Sequence, residues 1–373
     1  MTGAKQPVMI MAGGTGGHVY PGLAVALELL KRGAPVIWLG TRAGLEARVV
    51  PQHDIPVEWL SVSGVRGKRG LALLRAPFLL FFALWQALRI FLRCKPRAVL
   101  GLGGFVAGPG GLMAALLRKP LVIHEQNAVA GLTNRWLLPL SRFALEGFPG
   151  TFTSRKAVIT GNPVRAEIAA VAPPDKRFAE QRTRLHLLVF GGSLGAAVFN
   201  DVVPRALHTL SEDVRPEVWQ QVGEAHLDAA QQNYRSAGVV SRLDRFIEDM
   251  AEAYCWADLV LCRAGALTVA ELAAVGVAAI LVPYPYAVAD EQTANAQFLT
   301  RAGAGVLIPQ ADFTPARVAQ VLKRFHDNRK ELEDMAVAAR ELAKPGVAAQ
   351  IADICLQAAA GKRPADLIEG TQA

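Results

Sequence analysis

The stretch IMAGGTGGH, residues 10–18, decides the interpretation of the fold, because a short apolar run ends there directly in a glycine-rich loop. A second stretch of the same kind, VFGGSLGA at residues 189–196, begins another series of elements. In both halves, apolar strand-like runs alternate with helical runs, which indicates parallel sheets covered on both faces. We therefore predict an α/β protein made of two Rossmann-like domains whose parallel sheets face each other across a cleft. The active site is expected in that cleft, where the carboxyl ends of the strands lie.

The pattern also predicts individual elements and boundaries. Strands are expected at residues 8–12, 35–40, 98–103, 120–125, 185–192, 257–262 and 278–285. Helices are expected at residues 21–33, 266–276 and, as one long helical region, about 315–360. The predicted domains span residues 1–164 and 165–344, with the helix at about 345–360 packing back on the first domain and a loose tail at 361–373.

The composition is that of a folded protein, with 52% hydrophobic and 19% charged residues among 373. Four scattered cysteines form neither a C-x-x-C pair nor a zinc-type cluster, which is typical of a reducing compartment. The N-terminal apolar stretch runs straight into glycines and has no signal-peptide pattern. We therefore expect a cytosolic protein.

A basic window at residues 66–97 contains Lys and Arg but neither Asp nor Glu, within a chain of net charge +8. Its uncharged run, APFLLFFALWQAL at residues 76–88, is shorter than the roughly 20 residues that a spanning helix needs. This pattern favours a helix lying on an anionic membrane leaflet. The alternative is a core helix with solvated basic ends. Nucleic acid is not expected as a partner, since no polar base-reading pattern accompanies the charges.

The first glycine loop does not match a dinucleotide site. Counting from Gly14, Val19 stands at the third glycine position, and the second strand ends in Gly40, Thr41 and Arg42 without the acidic residue that binds ribose. The glycines instead allow backbone N–H groups to approach a phosphate or a sugar. His18 is a candidate general base because imidazole titrates near neutral pH. The alternative is that His18 only binds or orients a substrate.

The second half carries further candidates for an anionic ligand. The loop at residues 191–195 could hold a diphosphate, or could be only a tight turn. Gly265 precedes a helix whose first N–H groups would face an anion, and Glu271 could accept hydrogen bonds from ribose or simply favour the helix N-terminus. No D-x-D metal clamp occurs. Helix N-termini and backbone, with Arg165 or Arg263, would then meet the diphosphate charge without a metal.

Seven motifs occur together and in order. They are GGTGGHVYPGLA (13–24), GGFVAGPG (103–110), HEQNAVAGLTNR (124–135), GNPVR (161–165), GGSLGA (191–196), CRAGALTVAEL (262–272) and DEQTANA (290–296). With this set, the chain resembles the MurG family of peptidoglycan N-acetylglucosaminyltransferases over about residues 8–345. Tyr20, where Phe is usual, and Glu291, where many relatives have His, are departures from the family pattern.

The resemblance implies a GT-B fold and an inverting transfer that uses no metal and no cofactor. N-acetylglucosamine would pass from UDP-N-acetylglucosamine to the 4-hydroxyl of the muramoyl sugar of lipid I, giving lipid II. The first domain would face acceptor and membrane, the second would bind the donor, and the protein would lie on the cytoplasmic face of the inner membrane among other cell-wall synthesis proteins.

By the same resemblance, His18 is the candidate base and Glu125 a second catalytic candidate. The implied donor contacts are Thr15, Gly16, Gly17, Asn127, Arg165, Ser193, Ile247, Ala266, Leu267, Thr268, Val269, Ala270, Glu271 and Gln292.

Three other functions would fit parts of the sequence. A UDP-sugar epimerase of similar two-domain shape would leave the basic apolar window unexplained. An NAD-dependent oxidoreductase is disfavoured by the missing ribose-binding acid. A non-catalytic membrane-binding protein would not need the arrangement at residues 265–271.

Overall fold

A computed structural model describes residues 6–62, 76–178, 182–192 and 194–362. The chain divides into two compact units, which are treated separately below. Unit 1 comprises Met1–Arg165 with Gly346–Ala373, and unit 2 comprises Ala166–Pro345.

Unit 1 contains a parallel sheet. Its strands are β1 Val8–Met11, β2 Val36–Gly40, β3 Val57–Trp59, β4 Ala98–Gly101, β5 Leu121–Glu125, β6 Phe143–Glu146 and β7 Ala157–Ile159. Its α-helices are α1 Gly16–Lys31, α2 Glu46–Val49, α3 Ala76–Cys94, α4 Gly104–Leu116, α5 Leu132–Leu137 and, last in the chain, α15 Val347–Ala359, with 3-10 turns at Val50–His53 and Leu138–Leu140. The strand order is β3-β2-β1-β4-β5-β6-β7. Strands β1 to β3 extend the sheet toward one edge and β4 to β7 toward the other, so the strand order reverses between β1 and β4.

Close packing of α1 on this sheet depends on one glycine. Trp38 is fully buried, and its Nε1 donates to the Ala12 carbonyl at 2.8 Å. A Cβ atom at Gly22 would lie 2.7 Å from the Trp38 ring, so a larger residue would push α1 away. The predicted helix at 21–33 is wrong at its start, because the helix already begins at Gly16 and includes Pro21.

The last helix of the chain belongs to unit 1. Ile351 and Cys355 of α15 are fully buried and pack with the residues of α1 and the first strands. The Arg142 guanidinium donates to the Ala358 carbonyl at 3.1 Å, near the C-terminal end of α15. The apolar face of α1 is therefore covered by a segment that follows unit 2 in the sequence.

Unit 2 has a second parallel sheet. Its strands are β8 His186–Phe190, β9 Glu217–Gln221, β10 Arg242–Asp244, β11 Leu259–Cys262, β12 Ala278–Leu281 and β13 Gly305–Leu307. Its α-helices are α6 Ala166–Ala169, α7 Pro174–Arg177, α8 Ala197–His208, α9 Leu227–Ser236, α10 Met250–Trp256, α11 Ala266–Val275, α12 Glu291–Thr300, α13 Pro315–Asp327 and α14 Arg329–Glu341, with 3-10 turns at Glu224–His226, Val288–Asp290 and Gln310–Asp312. The order β10-β9-β8-β11-β12-β13 reverses between β8 and β11.

The prediction of one long helical region over residues 315–360 is wrong. Non-helical backbone at Asn328 separates α13 from α14, and Pro345 with Gly346, whose φ is +70°, precedes α15. Proline cannot continue a helix and glycine adopts positive φ readily, so the chain turns there. The predicted α/β class, with two Rossmann-like parallel sheets, is confirmed. Within the described ranges, no helix is both long and apolar enough to cross a membrane.

Candidate active site

The first glycine loop follows β1 at the point where the sheet order of unit 1 reverses. Such a reversal point is where open parallel sheets bind ligands. Thr15 precedes α1, and its carbonyl accepts hydrogen bonds from the N–H groups of His18 and Val19, both at 3.2 Å. Gly16 and Gly17 therefore form the first turn of α1, with their N–H groups at the positive end of the helix.

The first glycine loop is held in place by a buried residue that the sequence pattern does not identify. Glu46 in α2 is fully buried, and its carboxylate accepts from the Gly14 N–H at 2.9 Å and from the N–H and hydroxyl of Thr41 at 2.8 Å each. The Leu45 N–H donates to the Gly14 carbonyl at 3.2 Å. The loops after β1 and β2 are thus tied together around one carboxylate.

The imidazole of His18 lies against the two glycines that follow β4. A Cβ atom at Gly103 would lie 3.3 Å from His18 Nε2, and both Gly103 and Gly104 have positive φ, so only glycine fits there without strain. Burial lowers the pKa of His18 below its usual value, while the carboxylates of Glu125 and Glu46 act in the opposite direction. A neutral imidazole near pH 7 can accept a proton, as a general base must.

Glu125 at the end of β5 is held as an acceptor by its own loop. Its carboxylate accepts from the Asn127 N–H at 3.1 Å, the Asn127 side chain at 3.3 Å, the Gly131 N–H at 2.9 Å and the Asn134 side chain at 2.9 Å. These four donors occupy both oxygens of the Glu125 carboxylate. The carboxylate thereby orders residues 127–134, and its charge acts on His18.

His124, the other histidine in the first-unit motifs, is a structural residue. It is fully buried, with Nε2 at 2.9 Å from the Gly161 carbonyl and Nδ1 at 2.9 Å from the Gln126 side chain. Burial lowers the pKa of His124 to about 4, although the bond to Gly161 acts the other way. Because both ring nitrogens are engaged inside the fold, His124 is not placed to take a proton from a substrate.

The second glycine loop lies at the corresponding reversal point of unit 2, after β8. Gly195 and Gly223 have positive φ, and a Cβ atom on either would collide with the backbone of the facing loop, so the loops after β8 and β9 pack backbone to backbone. The buried Gln221 side chain donates to the Gly192 carbonyl at 2.8 Å and accepts from the Ile247 N–H at 2.9 Å. Gln221 therefore joins two segments that were predicted to contact the donor.

Helix α11 begins directly after β11, beside that loop in the sheet order. Its first N–H groups, those of Ala266, Leu267 and Thr268, precede the helical hydrogen-bond ladder and are oriented to meet an anion. The Val269 N–H already donates to the Gly265 carbonyl at 2.9 Å, so any ligand contact of residues 269–271 must come from side chains.

The carboxylate of Glu271 has a fixed orientation. The hydroxyl of Tyr254, a fully buried residue of α10, donates to Glu271 Oε2 at 3.0 Å. A carboxylate held in this way, one turn beyond anion-facing N–H groups, has the geometry to accept hydrogen bonds from a pair of sugar hydroxyls. The role of Glu271 stays a prediction, but its place on the structure suits it.

Two further side chains of unit 2 have defined partners. Gln292 in α12 accepts from the Tyr284 N–H at 2.9 Å through its side-chain oxygen, which leaves its amino group available. Arg263, considered above as a partner for diphosphate, instead donates to the carbonyls of Val282 and Pro283, at 3.0 Å each, and to Gln310 at 2.6 Å. These bonds hold Arg263 within unit 2 after β12, and its contact with a diphosphate stays a prediction.

The remaining predicted residues fall into two groups. Arg165 belongs to unit 1 rather than to the second domain, and its guanidinium lies 5.6 Å from the centre of the Tyr20 ring beside the first glycine loop. Ser193 lies outside the described residues, as do the first four basic residues of the window at 66–97.

Comparison with known proteins gives the chain a family. Residues 8–145 match the glycosyltransferase family 28 N-terminal domain, and residues 186–351 match the family 28 C-terminal domain. The chain is 56% identical over 353 residues to the UDP-N-acetylglucosamine–N-acetylmuramyl-(pentapeptide) pyrophosphoryl-undecaprenol N-acetylglucosamine transferase of Alkalilimnicola ehrlichii, covering 95% of this chain and 99% of the relative. Among solved structures, that of Acinetobacter baumannii MurG superposes with a TM-score of 0.83 at 41% identity, covering 94% of this chain and 99% of that one.

The chain belongs to the MurG family. The predicted resemblance, GT-B fold and hexosyltransferase class are therefore confirmed. MurG-family membership does not by itself test the roles of single residues, so the catalytic and donor-contact residues stay predictions.

Three structural residues of this MurG-family site escaped the sequence analysis, namely Glu46, Gln221 and Tyr254. Each has a partner in a predicted site segment that lies far from it in the chain: 32 positions for Glu46 and Gly14, 29 for Gln221 and Gly192, and 17 for Tyr254 and Glu271. Glu46 follows a loop with glycine, and Gln221 is the last residue of a strand, but Glu and Gln occur at such positions in many proteins. Only the three-dimensional contacts show that these residues support the site.

Proposed function

We propose that this chain transfers N-acetylglucosamine from UDP-N-acetylglucosamine to the 4-hydroxyl of the muramoyl sugar of lipid I, the undecaprenyl-diphosphate-linked muramyl pentapeptide, and so makes lipid II for peptidoglycan synthesis. The observation that carries the proposal is the near-full-length similarity to transferases of that name. The site residues of both units support it, because each sheet presents a glycine loop at its reversal point.

In this proposal unit 1 supplies the base. The acceptor hydroxyl is a poor nucleophile at neutral pH because it holds its proton tightly. The neutral imidazole of His18 takes that proton while the bond to the anomeric carbon forms. The carboxylates of Glu125 and Glu46 favour the imidazolium that results. Inversion follows if the hydroxyl attacks from the face opposite the leaving UDP.

Unit 2 supplies the donor-binding groups. The N–H groups at the start of α11 and in the loop at 191–195 oppose the negative charge that develops on the departing diphosphate. Glu271, oriented by Tyr254, accepts hydrogen bonds from the ribose hydroxyls. Protein groups of this kind suffice for the proposed chemistry, and the metal-free transfer remains part of the proposal.

The test of the whole function is a product analysis. The full chain is incubated with labelled UDP-N-acetylglucosamine and a lipid I analogue, and a disaccharide product with equimolar UDP is expected. A parallel incubation with UDP-N-acetylglucosamine alone should leave the sugar nucleotide unchanged. A new UDP-sugar in that second incubation, without transfer in the first, would establish the epimerase and overturn the proposal.

We further propose that the protein binds the cytoplasmic membrane surface through residues 66–97, and the described part of α3 supports this. One face of α3 is buried through Ala83, Ala87 and Phe91, whereas Phe78 and Phe81 on the other side are 77% and 72% exposed. Exposed rings in succession are unusual on a soluble surface and are typical of interfacial helices. One basic residue of the window is excluded from this role, because Arg93 forms an ion pair with Glu58 and is not free to bind lipid.

Replacement of Phe81, Phe82 and Trp85 by Ser should lower the partition coefficient onto anionic vesicles about tenfold, which corresponds to about 1.4 kcal/mol. Phe81 is 72% exposed and Phe82 and Trp85 are 44% exposed. Because an interfacial helix inserts such rings only in part, the loss lies near the lower end of the roughly 1.5–3 kcal/mol for burying one whole side chain. Co-sedimentation with vesicles at low and high salt measures it. A matched control replaces the exposed Val240 and Val337 of unit 2 by Ser. Equally strong vesicle binding by both variants would show that α3 does not contact the membrane.

A further inference from the structure

Glu46 is a buried carboxylate around which two loops of unit 1 are built. It is fully buried, and no Lys, Arg or His within the described ranges forms an ion pair with it. A Cβ atom at Gly13 would lie 2.6 Å from its carboxylate oxygen, one at Gly40 would lie 2.7 Å from its Cγ, and one at Gly44 would come closer still. Three glycines at the ends of β1 and β2 therefore leave room for this one side chain.

The chemistry of the contacts explains why the residue is a carboxylate. All three of its partners donate, namely the Gly14 N–H, the Thr41 N–H and the Thr41 hydroxyl. An ionised carboxylate only accepts, whereas an amide would turn its NH2 group toward one of these donors. Burying a carboxylate without a counter-ion is costly unless it is hydrogen-bonded, and these three donors supply the bonds.

The contacts of Glu46 lead directly to the candidate base. Gly14 is held at its N–H by Glu46 and at its carbonyl by the Leu45 N–H, which fixes the backbone just before α1. His18 lies in the first turn of that helix. The charged groups that act on His18 are Glu125, from the end of β5, and Glu46, from α2.

We propose that Glu46 is a positioning residue for the transfer reaction, which holds the first glycine loop in place and, as a buried anion, stabilises the imidazolium of His18. This inference rests on the proposed function. Glu46 itself is fully buried beneath the loops, so its carboxylate is not accessible to a substrate. Its effect reaches the reaction through the geometry of Gly14 and through the electrostatic field at His18.

The test is Glu46→Gln, which keeps the size of the side chain and removes its charge. We expect kcat with saturating donor and lipid I analogue to fall about tenfold, with the donor KM changed less than twofold. Because Glu46 raises the pKa of His18, removing its charge lowers that pKa further. The acidic limb of the kcat–pH profile should therefore move to lower pH, an effect that a loss of folding alone does not produce.

Glu146→Gln is a matched control. Glu146 is a similarly buried carboxylate of unit 1 that accepts backbone N–H groups of Gly150 and Phe152 after β6, and it does not act on His18. Its replacement should lower the midpoint of thermal unfolding and leave the acidic limb where it is. Thr41→Val, which removes one hydrogen bond and keeps the charge of Glu46, should lower kcat less and also leave the limb unmoved, and Thr41→Ser should restore kcat.

A folded Glu46→Gln variant with the kcat and acidic limb of the wild type would overturn the inference. If that variant does not fold, Thr41→Val decides: a reduced kcat at unchanged donor KM supports the inference, and a wild-type kcat overturns it. A wild-type protein that transfers no sugar overturns the proposed function itself, so the two failures are distinguishable.

Discussion

His18→Ala should lower kcat by about 10²–10⁴-fold, the usual consequence of losing a general base. Donor binding should persist, because the anion-facing groups at the start of α11 belong to the other unit. The wild-type rate should fall at acidic pH as the imidazole becomes protonated. Because burial lowers the pKa of His18, that fall should lie below the usual titration range of histidine, and it should be missing in the variant.

Steady-state rates across pH, together with donor affinity from calorimetry, separate the two roles of His18. His53→Ala, an exposed histidine of the same unit, serves as the control. A His18→Ala variant that loses donor affinity but keeps kcat would make His18 a binding residue. Wild-type behaviour in both measurements would leave Glu125 as the next candidate, despite its four hydrogen bonds.

Glu271→Ala should raise the donor KM about 5- to 150-fold with a smaller change in kcat. This range corresponds to about 1–3 kcal/mol, the cost of leaving buried hydrogen-bond donors without partners. Two ribose hydroxyls lose their acceptor, and the Tyr254 hydroxyl loses its bond to the Glu271 carboxylate as well. Glu271→Gln should have a weaker effect, since the amide oxygen can still accept.

The measurement for Glu271 is the donor KM at saturating acceptor, supported by direct titration with UDP. Glu333→Ala on α14 is the control, because Glu333 pairs with Lys330 on the surface of the same unit. A donor KM equal to that of the wild type would reduce Glu271 to a residue that stabilises the start of α11.

The central strands could be predicted from the sequence because strands buried on both faces read as continuous apolar runs. β1, β4, β8, β11 and β12 all lie within or close to the predicted ranges. The edge strands β3, β7, β10 and β13 have three residues each and half-buried or exposed side chains, so they leave no periodic signal. Their pairing depends on a neighbouring strand that is already in place.

The glycine loops illustrate what a local pattern cannot tell. The pattern explains Gly13, Gly14, Gly16 and Gly17 by the approach of a ligand to the backbone. The structure shows a second requirement, since Gly13 also makes room for the Glu46 carboxylate. The partners Gly14 and Glu46 are 32 positions apart. No spacing rule connects these two residues without the fold. Residue types therefore predict a ligand-binding loop but not the buried side chain that supports it.

The place of α15 has a consequence for biosynthesis. The ribosome completes residues 166–345 before it makes α15, yet Ile351, Ala352 and Cys355 are part of the core around α1. A nascent chain therefore exposes the apolar side of α1 throughout the translation of unit 2. At typical elongation rates of about 5–20 residues per second, this interval lasts on the order of ten seconds or more. We therefore expect chaperones to bind the nascent chain during that interval. We also expect proteases to degrade chains that are released before residue 347, because the segment that closes the core of unit 1 is made last.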